Sequence, residues 1–444
     1  MRSLRTFRQA RLFTRRVRSD QVMLNMSWLG LGEVVARVTR LATTIVIARA
    51  LGPAELGLAA IALTSFEIIR AFAGSGIGQM VARATPETLA ATTAAASRAN
   101  WMLCSSLAAI QVLVGALLAA ITGRTELVLM VGCLAVVFLL MPLGLMQCYL
   151  VIRENRLSTI ARVSTLQLVA DNALTAALAI AGLGAWAIVL PKLLTAPLWV
   201  LGMRRAATWS RDHSVAAIPL SELTRFAAPI LGSELLAALR MNLDKVLVTA
   251  ILGVEILGVY YFAFNAGLGL SLSLTSALSA SAFPALSALA SSPAEMLARF
   301  DRILWRNALP VSLIIALQAA AALVYVPIVF GGHWAGAAPL VALLCVSALT
   351  RPVWDAAAQL LRAAGLPRYE FAGALVYSVV YLAAFAAFLP FGLPAGITAL
   401  AFVALLLNVA LAAWARSVVL RHAAESSSPG HAGQPSAQAA AMAR

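Results

Sequence analysis

Charged residues are scarce in this chain, and their scarcity excludes an ordinary soluble domain. Asp, Glu, Lys and Arg supply only 11% of the 444 residues, whereas hydrophobic residues supply 61%. Soluble globular domains carry roughly a quarter of charged residues and about half of apolar ones. The composition therefore favours a protein that resides in a bilayer.

Cysteine and histidine are also few, with four of each. All four cysteines lie inside apolar blocks, and their spacing matches no metal-binding or redox motif. The histidines fall in predicted loops and in the C-terminal tail. We therefore expect no disulfide framework, no metal site and no cofactor.

Motifs of nucleotide-binding or hydrolytic enzymes are missing. The chain has no GxxxxGK[ST] phosphate loop, no HExxH and no GxSxG. The longest loop between predicted membrane helices is the segment 204–225, which is too short for a catalytic domain. The sequence thus predicts that the protein is not an enzyme.

Long hydrophobic runs dominate the chain instead. Each approaches the roughly 20 residues that a helix needs to cross the hydrocarbon core, and the two-residue alternation of barrel strands is absent. The runs predict an all-α polytopic membrane protein with about twelve transmembrane helices. The predicted spans are 25–50, 56–78, 99–121, 127–150, 159–181, 185–203, 226–251, 257–284, 306–330, 337–361, 370–390 and 396–416.

Positive charge is segregated between the predicted loops. The formal net charge is +15, and arginines concentrate in the N-terminal arm and in alternate loops, such as those containing Arg153 and Arg204. Because cytoplasmic loops collect Lys and Arg, both termini are expected in the cytoplasm, and the charge requires no nucleic-acid partner. The arm 1–24 is thus a basic cytoplasmic segment, and the Ser-, Ala-, Gly- and Pro-rich tail 417–444 is expected to be disordered.

The two halves of the chain share a short repeat. Leu51–Gly57 follows the first span and Leu252–Gly258 follows the seventh; both read LGxxxLG at an offset of 201 residues, which also relates Glu33 to Glu234. Six spans per half predict two lobes related by a pseudo-two-fold axis along the membrane normal, with a substrate site between them. The predicted segments are the N-lobe 25–203, the cytoplasmic linker 204–225 and the C-lobe 226–416.

Ionisable residues remain at membrane depth, where each costs roughly 2.5–3.5 kcal/mol at a helix centre. In the first span Glu33, Arg37 and Arg40 follow one another at steps of four and three, so they share one helix face. Such a stripe cannot face lipid. The other intramembrane charges are Glu67 and Arg70, Asp171, Lys192, Glu234, Arg240, Asp244 and Lys245, and Arg351 and Asp355.

Collectively these side chains predict a water-filled cationic cavity, since arginine is permanently charged and matches phosphate oxygens with two-pronged geometry. The predicted substrate-binding residues are Arg37, Arg40, Arg70, Arg240, Lys245 and Arg351. The acidic residues Glu33, Glu67, Asp171, Glu234, Asp244 and Asp355 are expected either to couple an ion or to neutralise neighbours. Both readings stay open for the i,i+4 pairs Glu33/Arg37, Arg240/Asp244 and Arg351/Asp355, whereas Arg40 and Arg70 have less obvious local partners.

Several segments resemble a known family of transporters. They are VTRLATTIVIARALGPAELGLAAIAL (38–63), GLGAWAIVLPKLL (182–194), LRMNLDKVLVTAILGVEILGVYYFAFN (239–265) and SASAFPALSAL (279–289). In the third, Asn242, Asp244, Gly258 and Tyr260 fall in the family's order. The chain thereby resembles bacterial polysaccharide-unit (O-antigen or exopolysaccharide) flippases of the multidrug/oligosaccharidyl-lipid/polysaccharide (MOP) exporter superfamily.

The resemblance implies a two-lobed inner-membrane transporter that opens alternately to each side. It implies a substrate of sugars on a polyprenyl diphosphate, flipped from the cytoplasmic to the outer leaflet for lipopolysaccharide or exopolysaccharide synthesis. It also implies glycosyltransferases upstream and a polymerase or ligase downstream as partners, together with membrane lipid.

Three other functions fit the sequence less well. A multidrug or small-metabolite exporter of the same superfamily predicts a smaller, more acidic and aromatic cavity. A polysaccharide polymerase or ligase predicts a long outer loop carrying Arg or His, which the chain lacks. A scaffold that transports nothing leaves the intramembrane charges without a purpose.

Overall fold

A computed structural model describes residues 32, 34–73, 76–210, 219, 238–239, 241–290 and 292–427. Helices account for nearly all of these residues, and no strand occurs among them. The predicted all-α membrane fold is therefore confirmed. The basic arm 1–24 and most of the linker 204–225 lie outside the described residues.

The chain forms two compact units. One comprises Met1–Phe262 with Val329–Gly331, and the other comprises Ala263–Ile328 with Gly332–Arg444. The first contains α1 (34–50), α2 (Pro53–Ala73), α3 (Ile77–Arg83), α4 (Leu89–Thr122), α5 (Glu126–Leu140), α6 (Pro142–Arg153), α7 (Leu157–Ile180), α8 (Trp186–Ala206), α9 (241–252) and most of α10 (Val254–Ala263).

From α10 onwards, π-helical turns interrupt otherwise continuous helices. A π-turn at Phe264–Leu268 leads from α10 into α11, and further π-turns are Leu304–Ala308 and Val326–Phe330. The remaining elements are α11 (Gly269–Ser287), α12 (Pro293–Ile303), α13 (Leu309–Tyr325), a 3₁₀ turn (Gly332–Ala337), α14 (Ala338–Ala348), α15 (Arg351–Ala363), α16 (Pro367–Phe388), a 3₁₀ turn (Leu389–Phe391) and α17 (Leu393–Ser427).

Eight helices in the described part of the chain are long and apolar enough to span a membrane. A ninth span arises if α5 and α6, which are bent by 50° at their junction, are taken together. The bend falls at Pro142, which cannot donate the helical hydrogen bond expected of that position. The predicted twelve-helix layout in two lobes is consistent with this pattern.

The final helix extends further than the sequence predicted. It runs to Ser427, so residues 417–427 of the predicted disordered tail are helical, and residues 428–444 lie outside the described part. The extension is held because Val419 is buried among the side chains of the second unit's core.

Aliphatic side chains cover much of the surface, as expected in lipid. Ile121 on α4, Ile180 on α7 and Leu317 on α13 are each more than 70% exposed. The interior of the first unit is nonetheless well packed; Phe66 of α2 meets Phe138 of α5 with ring centroids 5.1 Å apart. Large exposed apolar surfaces are rare in soluble monomers and mark contact with membrane or partners.

Candidate functional site

An open cavity lies within the first unit, between residues of α2, α3, α6 and α9. Its volume is about 780 Å³. Its charged lining consists of Glu67, Arg70 and Arg83, so the formal charge of the lining is positive by one. Apolar and neutral side chains complete it, among them Met141, Leu145, Tyr149, Ile152, Met241 and Asn242.

Arg70 forms an ion pair in this lining. Its Nη2 lies 2.6 Å from Oε2 of Glu67, one helical turn earlier on α2. Arg70, whose local partner was less obvious from the sequence, thus pairs with Glu67 of its own helix. Both side chains remain about half exposed, at 52% and 44%. An exposed pair of this kind contributes little free energy, so the guanidinium is oriented but keeps donors for a ligand.

A buried cluster of polar side chains joins α9 to α10. The Tyr260 hydroxyl donates to Asp244 Oδ2 at 2.7 Å, and Lys245 Nζ lies 3.4 Å from the other oxygen, Oδ1. Lys245 also donates to the Met241 carbonyl at 3.1 Å. All three side chains of the cluster are buried. Lys245, predicted to bind substrate, thus neutralises a neighbouring carboxylate, and it does not line the cavity described above.

A second buried carboxylate lies between α7 and α8. Asp171 is buried, and its Oδ2 accepts a hydrogen bond from Lys192 Nζ at 2.5 Å. Its other oxygen, Oδ1, has no hydrogen-bond partner among the described residues. Because an unpartnered buried oxygen is costly, this carboxylate has the chemistry to accept a proton or another positive charge.

Polar side chains fasten α1 to α7 beside this carboxylate. Asn172 Nδ2 donates to Thr39 Oγ1 at 3.1 Å, and Thr43 Oγ1 donates to the Asn172 carbonyl at 3.2 Å. The sequence analysis predicted Arg37 and Arg40 of this helix as substrate-binding residues. It did not predict that the threonines contact α7. The structure leaves Arg37 partly buried and Arg40 exposed on α1. The i,i+4 spacing of Thr39 and Thr43 was the signal that could have revealed the contact.

In the second unit, Arg351 and Asp355 form the predicted i,i+4 ion pair on α15, with Nε 3.6 Å from Oδ1. Tyr377 and Tyr381 of α16 stack nearly parallel, with ring centroids 5.3 Å apart, and both lie near Arg351. Next to Arg351, Thr350 donates to the Ala404 carbonyl of α17 at 2.9 Å. The unit therefore presents a guanidinium beside paired aromatic rings.

Three predicted residues cannot be placed. Glu33, Glu234 and Arg240 lie outside the described residues. Of the others, the structure joins Glu67 with Arg70, Asp244 with Lys245, and Arg351 with Asp355.

Solved structures with the same fold define the class of protein. An inward-facing multidrug resistance MATE family transporter of the MOP superfamily is 14% identical, with a TM-score of 0.63 over 87% of this chain and 95% of that one. The lipid II flippase MurJ in an inward closed conformation is 10% identical, with a TM-score of 0.69 over 86% of each chain. An outward-facing MATE transporter is 16% identical, with a TM-score of 0.53 over 90% and 95%. The fold is that of MOP-superfamily membrane transporters.

The family follows from the sequence profile. The profile of the polysaccharide biosynthesis protein family matches residues 46–339, which are 294 of the 444 residues. The chain therefore belongs to this family of polysaccharide biosynthesis proteins. The predicted recognition as a polysaccharide flippase of the MOP superfamily is confirmed at the level of family and fold. Comparison with curated proteins gives no match.

Proposed function

We propose that the chain flips polyprenyl-diphosphate-linked sugar units from the cytoplasmic to the outer leaflet of the bacterial inner membrane. Membership of the polysaccharide biosynthesis family and the MOP transporter fold support this proposal. The protein acts as a transporter and not as an enzyme. Both termini lie in the cytoplasm, where glycosyltransferases supply the substrate, and a polymerase or ligase receives it outside.

The cavity beside Glu67 and Arg70 is the observation that carries the proposal. Its volume of about 780 Å³ falls within the range of roughly 300–1,000 Å³ typical of ligand sites. Arg70 and Arg83 supply guanidinium groups that bind phosphate oxygens in a fork. The neighbouring Tyr149 and Met241 offer apolar surface to the rest of the head group.

The other predicted cationic residues contribute in different ways. Arg37, Arg40 and Arg240 provide further phosphate contacts, while Lys245 holds Asp244 in place within the buried cluster. Arg351 presents a charge beside the Tyr377–Tyr381 stack, a combination that suits a sugar ring with an attached phosphate. Of the acidic residues, Glu67, Asp244 and Asp355 serve in these ion pairs, while Glu33 and Glu234 stay candidates for ion coupling.

Asp171 is the candidate for coupling transport to an ion. It is buried, and one of its oxygens has no partner in the described structure. Protonation of Asp171 weakens its attraction for Lys192 and so loosens α7 from α8. The membrane potential also drives export, since a potential negative inside favours outward movement of an anion by about 2.3 kcal/mol per charge per 100 mV.

Deletion of the gene in its native host tests the proposal. Mass spectrometry of polyprenyl-linked sugars should reveal accumulation of intact lipid-linked oligosaccharide. Wild type should relieve it, Arg70→Gln should not, and the control Arg98→Gln, an exposed arginine outside the cavity, should behave as wild type. Normal surface polysaccharide with altered drug tolerance would instead favour the multidrug or small-metabolite exporter, which shares the fold.

A further inference from the structure

A long helical run carries three arginines that the proposed transport does not use. The run Pro293–Phe330 contains 38 residues, which at a rise of 1.5 Å per residue makes about 57 Å. The hydrocarbon core is only about 30 Å thick. The apolar part, α13, begins at Leu309, so α12 extends into the headgroup region or beyond.

The helix α12 has one apolar and one basic face. The apolar side chains are buried in the core of the second unit. The basic side carries two arginines three residues apart, and a third arginine lies in the adjoining π-turn Leu304–Ala308; all three are exposed. The buried residues are Met296, Leu297, Phe300 and Ile303, and the exposed arginines are Arg299, Arg302 and Arg306.

The nearby acidic residues do not neutralise this face. Asp301 is bound by Arg416 of α17 through two hydrogen bonds of 3.1 and 3.0 Å. Glu295 lies one turn before Arg299, but no ion pair within 4.0 Å joins Glu295 to any arginine in the described structure. The basic face therefore keeps an excess of positive charge.

Two depressions beside α12 bring the arginines together on an apolar floor. One, of about 460 Å³, is lined by Arg299, Arg302 and Arg306 and by small residues of α11 such as Ala282. The other, of about 470 Å³, is lined by Arg299, Arg302 and Glu295 and by Leu289. Arg299 and Arg302 thus line both depressions, each of which is large enough for a phosphodiester group.

The adjoining surface suits the acyl part of a lipid. Trp305, which precedes Arg306 in the chain, is 73% exposed, and Leu309, three residues after Arg306, is 42% exposed. Tryptophan concentrates at the level of the lipid headgroups, because its ring is apolar and its N–H is polar. The three arginines and the exposed apolar side chains therefore lie at the same end of α13.

We propose that Arg299, Arg302 and Arg306 form a binding site for the phosphate headgroup of an anionic phospholipid of the surrounding bilayer. Guanidinium groups hold the phosphate oxygens in the depressions, and Trp305 and Leu309 contact the first acyl carbons. The sequence assigns this end of the span to the cytoplasmic leaflet, where anionic lipids attract basic side chains. The site does not depend on which molecule the protein transports.

Lipid binding by the purified full-length protein tests this site. Native mass spectrometry in detergent would quantify bound phosphatidylglycerol, phosphatidylcholine and a polyprenyl phosphate, each added separately and in competition. The test variant replaces the three arginines by Gln, and a second variant replaces them by Lys. The control variant, Arg98→Gln/Arg205→Gln/Arg421→Gln, removes three exposed charges elsewhere and so has the same net charge as the test variant.

We expect the wild type to prefer phosphatidylglycerol over phosphatidylcholine. The Gln variant should lose between about tenfold and a hundredfold in apparent affinity for phosphatidylglycerol, since each of the three basic residues contributes up to roughly fivefold near an anionic lipid surface. The Lys variant should retain most of the binding, and the control should change by less than about twofold. Equal losses in the control and the Gln variant would overturn the site, as would tighter binding of polyprenyl phosphate, which would assign these arginines to the transported lipid.

Discussion

Gly57 of α2 and Gly258 of α10 occupy equivalent positions in a symmetrical helix crossing. A Cβ on Gly57 would overlap the carbonyl oxygen of Val254, and a Cβ on Gly258 would overlap the carbonyl oxygen of Pro53. The two glycines are 201 residues apart, and so are the two residues that they meet, Pro53 and Val254; this is the offset of the repeated LGxxxLG motif. The repeat therefore has a structural counterpart, because a glycine at the crossing point of each helix lets two membrane helices approach closely.

Substitution of either glycine should destabilise this crossing. We expect Gly57→Ala and Gly258→Ala each to cost about 1–3 kcal/mol, since the new methyl group meets backbone and no flexible side chain can move aside. Thermal unfolding of the detergent-solubilised protein measures the effect. The control Gly132→Ala lies in α5 with nothing within 4 Å of its Cβ, so it should leave the midpoint unchanged or raise it. Equal midpoints for all three variants would contradict the crossing.

Removal of Lys192 should be more harmful than removal of the whole ion pair. Lys192→Met leaves the buried Asp171 carboxylate without a counter-charge, which costs about 3–5 kcal/mol when a buried pair is broken. Adding Asp171→Asn to that variant removes the buried charge and should recover much of the loss. Urea or thermal unfolding of the single and double variants forms a double-mutant cycle, and additive losses would exclude coupling between the two side chains.

The buried hydroxyl of Tyr260 should matter for stability. In Tyr260→Phe the buried Asp244 carboxylate loses the 2.7 Å hydrogen bond that it accepts from the tyrosine hydroxyl. We expect a loss of about 1–3 kcal/mol, the usual cost of an unsatisfied buried group. The midpoint of thermal unfolding measures it. An unchanged midpoint would show that Lys245 alone satisfies the carboxylate.

Glu67 and Arg70 should affect ligand affinity in opposite directions. Glu67→Gln removes the negative charge from the cavity lining and should strengthen binding of a short-chain polyprenyl diphosphate by about threefold to tenfold. Arg70→Gln should weaken it by a similar factor, because a phosphate-binding fork is lost. Isothermal titration at two salt concentrations measures both effects, which should shrink as salt rises. Changes of the same sign in both variants would contradict an anion-binding cavity.

Local contacts were predictable from the sequence, and contacts between helices were not. The pair Arg351–Asp355 was expected because an i,i+4 step places both side chains on one helix face. The same rule offered Arg240 as the partner of Asp244, and Arg240 lies outside the described residues. The hydrogen bond that Asp244 accepts from Tyr260 of the next helix is a contact that the rule does not predict. Spacing along one helix carries no information about which side chain a neighbouring helix presents.

The partner of Asp171 shows the same limit. Lys192 lies on the adjacent α8, and only the packing of α7 against α8 brings its ammonium group to the carboxylate. The cavity is a further case, since α2, α3, α6 and α9 all contribute to its lining. Apolar runs predicted the presence and order of these helices, while their packing had to come from the structure.

The crossing of Gly57 and Gly258 joins two helices that are synthesised at different times. Translation proceeds at about 5–20 residues per second, so the 201 residues between the two glycines take on the order of 10–40 s to synthesise. During that interval α2 is already made, while its partner does not yet exist. A nascent chain that stalls before α10 leaves the small-residue face of α2 uncovered, which gives membrane proteases and insertion chaperones a means to distinguish an unfinished protein from a complete one.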